Sequence, residues 1–112
     1  MQRITSITEF RSRTGAEAPT EAEEALITNA LAGTICLLGS NVPATPNPGE
    51  RPPTTIEIRA ELLRFLILGG GPDCPVATEG VRLVGACITG PLQLDFTEAK
   101  GETDLRACRF TH

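Results

Sequence analysis

The last third of the chain repeats every 11 residues, and this period restricts the possible fold more than any other feature of the sequence. Residues 81–112 divide into the lines VRLVGACITGP, LQLDFTEAKGE and TDLRACRFTH, the last of which is one residue short. Two columns of these lines hold mainly large apolar residues: Leu83, Leu94 and Leu105 in one, and Ile88, Ala99 and Phe110 in the other. A repeat of this kind predicts stacked structural units of similar shape.

Within each line, apolar or small residues recur at every second position, which is the periodicity of a β-strand. These pairs begin alternately five and six residues apart, a spacing too short for an ordinary strand meander. We therefore predict a coil of short strands, in which two 11-residue units make one 22-residue turn with four faces. Leu83 is then expected to stack on Leu105, and Ile88 on Phe110.

The spacing resembles that of the right-handed quadrilateral β-helix of pentapeptide-repeat proteins, in which a small residue precedes a central Leu or Phe by two positions. Cys108 and Phe110 have this arrangement, although the alternation of five and six residues departs from a strict period of five. The segments IRAELLRFLILGG and GVRLVGACITGPLQL, within about residues 55–110, resemble the start of a family of bacterial repeat proteins often named membrane-associated oxidoreductases. The resemblance implies a fold only, because it brings no catalytic motif to this chain.

The N-terminal half predicts an arm and a helix. Residues 1–16 alternate weakly between apolar and basic residues and predict a mobile or loosely docked arm. Within residues 20–53 we predict a helix at about 20–32, because Thr20 and Glu23 have capping-box spacing and acidic residues fill the first turn. TICLL, at positions 34–38, predicts a short buried strand, and the proline-rich segment that follows predicts a loop.

A second predicted helix lies within residues 54–71. Thr54 and Glu57 have capping-box spacing, the apolar residues cover more than one side, and three glycines end the segment. With 112 residues there is room for one domain, 1–112, of the α+β class. We predict two helices that cap a short right-handed quadrilateral β-helix of about one and a half turns, residues 81–112.

The far end of this coil, at Leu105, Cys108 and Phe110, has no capping element in the sequence. Solenoid turns bury their faces only against neighbours. Two expectations follow: the end packs on another copy of the chain, giving a homo-oligomer, or the chain is a shortened version of a longer solenoid. We expect self-association through this end.

Composition excludes several functional classes. The net charge of −4 disfavours nonspecific binding to nucleic acid or to an anionic membrane surface, and no stretch of 18 apolar residues is present. The N-terminus lacks the apolar core of a secretory signal, so we expect a cytoplasmic protein with reduced thiols. The four cysteines form no CxxC pair and His112 is the only histidine, so we predict no metal, no cofactor and no catalytic residue.

We therefore expect a non-catalytic protein-interaction module or self-associating scaffold. Its partner surface is predicted at outward positions of the coil: Asp95, Glu98, Arg106 and Arg109. The sequence does not identify a protein partner. An alternative is a small inhibitor, encoded by a phage or mobile element, of a bacterial defence or DNA-processing machine, since pentapeptide-repeat proteins include DNA mimics. A third hypothesis, a redox protein, depends only on the name of the resembling family.

Overall fold

The computed structural model describes residues 6–15, 18–43, 50–71, 74–77, 80–90 and 103–110, and within them helices and strands are mixed. The helices are α1 (Ile7–Arg11), α2 (Glu21–Ala32) and α3 (Ala60–Ile67). The strands are β1 (Cys36–Leu37), β2 (Glu57–Arg59), β3 (Gly70–Gly71), β4 (Cys74–Pro75), β5 (Val81–Val84), β6 (Cys87–Thr89), β7 (Thr103–Arg106) and β8 (Arg109–Phe110). The predicted α+β class is confirmed.

Six of these strands form two parallel sheets with the orders β1-β5-β7 and β2-β6-β8, while β3 and β4 pair antiparallel. Leu83 pairs with Leu105, and Ile88 pairs with Phe110. Both pairs are 22 positions apart, so the register predicted from the repeat is confirmed at these positions. The two further faces, predicted at 92–94 and 97–99, lie outside the described residues.

Two strands from outside the repeat extend both sheets in the other direction. Cys36 of β1 pairs with Leu83, and Ile58 of β2 pairs with Ile88. The side chains of Leu83, Ile58 and Ile88 are fully buried in one core, together with Leu62 and other residues of α3. The apolar columns of the repeat therefore continue into a strand layer whose sequence does not repeat.

The predicted start of the second helix is wrong. Residues 57–59 form β2, and α3 begins only at Ala60, with Arg59 as an N-cap whose side chain makes no capping hydrogen bond. The physical reason is the pairing of Ile58 with Ile88, which places a β-branched side chain in the core of the sheet. Thr54 and Glu57 therefore do not form a capping box.

The prediction of a loosely docked arm is also wrong for residues 6–15. Ser6 caps α1 through a hydrogen bond from the Glu9 amide, and the side chain of Phe10 is fully buried. The guanidinium groups of Arg13 and Arg59 lie 5.1 and 4.8 Å from the centroid of the Phe10 ring. Apolar burial and cation–π contacts thus hold this segment against the rest of the chain.

Helix α2 has the predicted boundaries and both hydrogen bonds of the predicted capping box. By contrast, the strand predicted to be buried at 34–38 is buried only at Cys36, whereas Ile35 and Leu37 are 53% and 69% exposed. Successive side chains of a strand point to opposite faces, and the outer face of this sheet is uncovered at these two residues.

The carboxylate of Glu23 joins α2 to the start of α3. It accepts hydrogen bonds from the Thr20 amide at 2.9 Å and from the Arg59 amide, Nε and Nη2 at 2.9, 3.0 and 2.9 Å. The Glu23 side chain is fully buried, and that of Arg59 is 14% exposed. Such a pair is stabilising only while both partners are present.

We predict that Glu23→Gln lowers the free energy of unfolding by about 3–5 kcal/mol, because it leaves the Arg59 guanidinium buried without a counter-charge. Urea unfolding followed by circular dichroism measures this change. Glu21→Gln, at an exposed position of the same helical turn, is the control and should change stability by less than about 0.5 kcal/mol. Equal effects of the two substitutions would contradict the role assigned to the buried pair.

The corner between β5 and β6 depends on a glycine. Gly85 has a φ of +81°, and a Cβ added there would lie 2.5 Å from the carbonyl oxygen of Gly39. Gly15 also has a positive φ, of +63°, but a Cβ added there would meet nothing within 4 Å. An alanine at Gly15 would therefore meet backbone strain alone, whereas an alanine at Gly85 would meet both strain and a clash with the Gly39 backbone.

Gly85→Ala should destabilise the protein by at least about 2 kcal/mol, because strain in the left-handed region and a clash with the Gly39 backbone add together. Gly15→Ala should cost only about 1 kcal/mol, from strain alone. Thermal or urea unfolding of both variants makes the comparison. If Gly85→Ala is no worse than Gly15→Ala, the close approach at this corner is not a constraint.

Candidate interaction surface at the C-terminal edge

Strands β7 and β8 lie at the same edge of the two sheets. Each is the terminal strand in its sheet order, next to β5 and β6 respectively, and has no further strand beside it among the described residues. A strand in this position presents backbone N–H and C=O groups on its open side. These strands form an edge to which another strand could be added, and we call it the C-terminal edge.

The predicted self-association residues meet at this edge. Leu105 and Cys108 are partly buried and pack against the core, and Phe110 is 47% exposed. The register partner of Phe110 in the preceding strand, Ile88, is fully buried. Exposure therefore increases within one apolar column from the interior to the edge, because among the described strands Phe110 has a neighbour on one side only.

The predicted partner surface is only partly placed by the structure. Asp95 and Glu98 lie outside the described residues. Arg106, on β7, forms an ion pair with Asp104 in which Nη2 and Oδ2 are 3.0 Å apart, and its side chain is 75% exposed. Arg109, on β8, instead donates from Nε to the Pro43 carbonyl at 2.6 Å. The two arginines therefore lie on terminal strands of different sheets.

A groove that the sequence does not predict lies on the outer face of the first sheet. It has a volume of about 270 Å³ and is lined by Ile35, Arg82, Leu83, Val84, Asp104 and Arg106. Ile35 was predicted to be buried, together with the rest of segment 34–38. A continuous apolar run gives no signal that distinguishes its exposed positions from its buried ones.

The outer face of the second sheet carries a buried polar cluster. The Glu57 carboxylate accepts hydrogen bonds from Arg51 Nε and, at 3.2 Å, from Thr89 Oγ1. Across the sheet, Glu57 of β2 pairs with Cys87 of β6, which in turn pairs with Arg109 of β8. Arg51 and Pro43, both in the proline-rich segment, are thus bonded to this sheet face.

The cluster explains why Cys87, at an outward position of its strand, is fully buried. Burial raises the pKa of the Cys87 thiol, the neighbouring Glu57 carboxylate raises it further, and Arg109 acts in the opposite direction. A thiol of raised pKa is protonated at neutral pH and is a poor nucleophile. The arrangement fits a packing role for Cys87.

The pKa values of two further thiols, Cys36 and Cys108, are also raised. Burial raises the pKa of Cys36 to about 11, and a hydrogen bond with Asn29 acts in the opposite direction. Burial also raises the pKa of Cys108, whose Sγ lies 3.3 Å from the Arg106 carbonyl oxygen. Cys36, Cys74, Cys87 and Cys108 are all free thiols. Within the described ranges, no three His, Cys, Asp or Glu side chains are grouped so that they could hold a metal ion.

Comparison with known proteins gives no family assignment. No family model, no curated protein and no solved structure matches this chain. The resemblance to pentapeptide-repeat proteins therefore stays a hypothesis based on spacing. Among the helices that the structure describes, none is long and apolar enough to cross a membrane.

We predict that the pKa of Cys36 makes stability fall at alkaline pH. The thiol is favoured in the folded state, so its contribution is fully present below pH 9 and is lost as the pH rises from 9 to about 11. Urea unfolding at a series of pH values measures this slope. Cys36→Ala should be less stable than the wild type below pH 9 but should show a smaller decrease between pH 9 and about 11, and an unchanged slope would contradict the assignment.

Proposed function

We propose that this chain is a non-catalytic protein-interaction module, built on a truncated right-handed quadrilateral β-helix, that self-associates through its C-terminal edge. The observation that carries the proposal is the coincidence, at one edge of both sheets, of two terminal strands and the half-exposed Phe110. A cytoplasmic location forms part of the same hypothesis.

The coil is supported by the register of both sheets. β5 pairs with β7 and β6 pairs with β8, in each case with residues 22 positions apart. Two residues separate β5 from β6, and two separate β7 from β8. After β6 the chain returns to the first sheet as β7, which lies beside β5, and this path fits one turn of a solenoid. Connections between parallel strands are right-handed in about 98% of cases, which favours the proposed hand.

The two ends of the stack differ in how they are covered. Helix α2 contacts β1 and β2, and α3 contacts β2, so helices lie against the strands at the N-terminal edge. Residues of both helices, including Leu26 and Leu66, belong to the same buried core as Leu83. Because a solenoid turn buries its apolar residues only against a neighbour, a protein partner at the opposite edge would complete the burial.

Pairing of the carboxylates makes a DNA-mimicking inhibitor the less favoured alternative. Such an inhibitor needs a continuous acidic surface to replace the phosphates of a duplex. In the described part of the chain, five carboxylates form ion pairs with arginine: Glu23, Glu24, Glu57, Glu61 and Asp104. Self-association requires no such surface.

Phe110→Glu should weaken self-association of the purified chain by at least about tenfold, because burial of a Phe side chain is worth roughly 1.5–3 kcal/mol. Size-exclusion chromatography with light scattering over a concentration series measures the association. Leu37→Glu is the matched control, since it removes an exposed apolar residue from β1, at the opposite edge of its sheet, and should leave association unchanged.

Two outcomes would contradict the proposal. A wild-type chain that remains monomeric up to millimolar concentration has no self-association to explain. Association that survives Phe110→Glu but is lost in Leu37→Glu would place the contact at the N-terminal edge or on the outer face of the first sheet.

A further inference from the structure

We infer that two copies of this chain join by antiparallel pairing of their β7 strands, with a two-fold axis passing beside Leu105. This inference depends on the proposed self-association and specifies its geometry. It assigns Asp104 and Arg106 the role of fixing the register between the two copies.

The open side of β7 presents backbone groups that could pair with another strand. Its residues Thr103–Arg106 pair on one side with Val81–Val84 of β5, and no strand lies on the other side among the described residues. A two-fold contact uses the same patch on both subunits, so the patch must be complementary to itself. Two edge strands related by such an axis run antiparallel.

The sequence of β7 is self-complementary in that orientation. With Leu105 opposite the partner's Leu105, Asp104 lies opposite the partner's Arg106, and Arg106 lies opposite the partner's Asp104. Leu105 is stacked on the buried Leu83, so its two neighbours project from the outer face of the sheet. Opposite charges placed directly across an antiparallel pair are stabilising, and like charges are destabilising.

The two charged side chains are already held near each other in a single copy. Arg106 Nε donates to Asp104 Oδ1 at 3.1 Å, and the pair lies on the exposed face, where the Asp104 side chain is 39% exposed. On association each group would gain the opposite charge of the other copy, and none would be left unpaired. The same strand therefore supplies both halves of a charge-matched contact.

The other edge strands fit this geometry less well. The one charged residue of β8, Arg109, already donates to the Pro43 carbonyl, and self-pairing of β8 offers it no acidic partner. Strand β1 contains no charged residue and is contacted by α2. Strand β2 has the same alternation as β7, but Glu57 is already paired with Arg51 and Arg59 with Glu23, and both α2 and α3 contact this strand. These differences favour β7 as the strand that sets the register.

The test uses two charge-reversed variants of the full chain. Asp104→Lys gives β7 two positive side chains, and Arg106→Glu gives it two negative ones. Each variant alone places like charges opposite each other twice, so its self-association should be about tenfold weaker than that of the wild type. An equimolar mixture restores both opposite-charge pairs and should form heterodimers, which native mass spectrometry separates from homodimers by mass.

Arg82→Glu is the matched control, because Arg82 lies beside Asp104 on β5, one strand away from the edge. It should leave association unchanged, and circular dichroism should show that all three variants are folded. Heterodimers in the mixture at wild-type affinity, with weak association of each variant alone, support the pairing.

The results separate the pairing from the function on which it depends. A wild type that self-associates while both variants alone do so equally well, or while their mixture gives no excess of heterodimer, overturns the β7 register and leaves self-association standing. A wild-type chain that is monomeric at millimolar concentration overturns both.

Discussion

The structure depends on the in-register stacking of short apolar strands, which bury their inward side chains only against the strand before and the strand after. Leu83 is fully buried because Cys36 precedes it and Leu105 follows it in the same sheet. In each of the two described three-stranded sheets only the middle strand has a neighbour on both sides, so burial at the two edges depends on other elements. What covers each edge therefore determines both the stability and the contacts of the molecule.

At the N-terminal edge the covering elements are helices, and electrostatic interactions position them. The buried Glu23 carboxylate bonds the start of α2 to Arg59, at the junction of β2 and α3, and the Arg59 guanidinium lies over the ring of Phe10 in α1. One buried ion pair thus connects all three helices to the second sheet.

The sequence was sufficient for features whose determinants are local or periodic. The capping box of Thr20 and Glu23 predicted the start of α2, and the 11-residue period predicted the register between β5 and β7 and the meeting of Leu105, Cys108 and Phe110 at one edge. It was insufficient where distant contacts decide the structure. TTIEIR has a pattern compatible with a helix, and only its pairing with Cys87–Thr89 makes it a strand. The contact of Phe10 with Arg59 and the hydrogen bond from Arg109 to Pro43 likewise join residues far apart in the sequence.

The unequal covering of the two edges also determines how far association can proceed. If both edges were open, copies could add head to tail, and the product would be a filament. Helices α2 and α3 contact the strands at the N-terminal edge, which disfavours strand addition there. In the proposed two-fold pair both β7 strands are used, and β8 offers no acidic partner to Arg109 for further self-pairing. The alternation of Asp104, Leu105 and Arg106 then serves a second purpose, since it favours one antiparallel register over slipped ones that would place like charges opposite each other. A closed dimer, rather than a growing fibre, is thus the association that the arrangement of charges and helices favours.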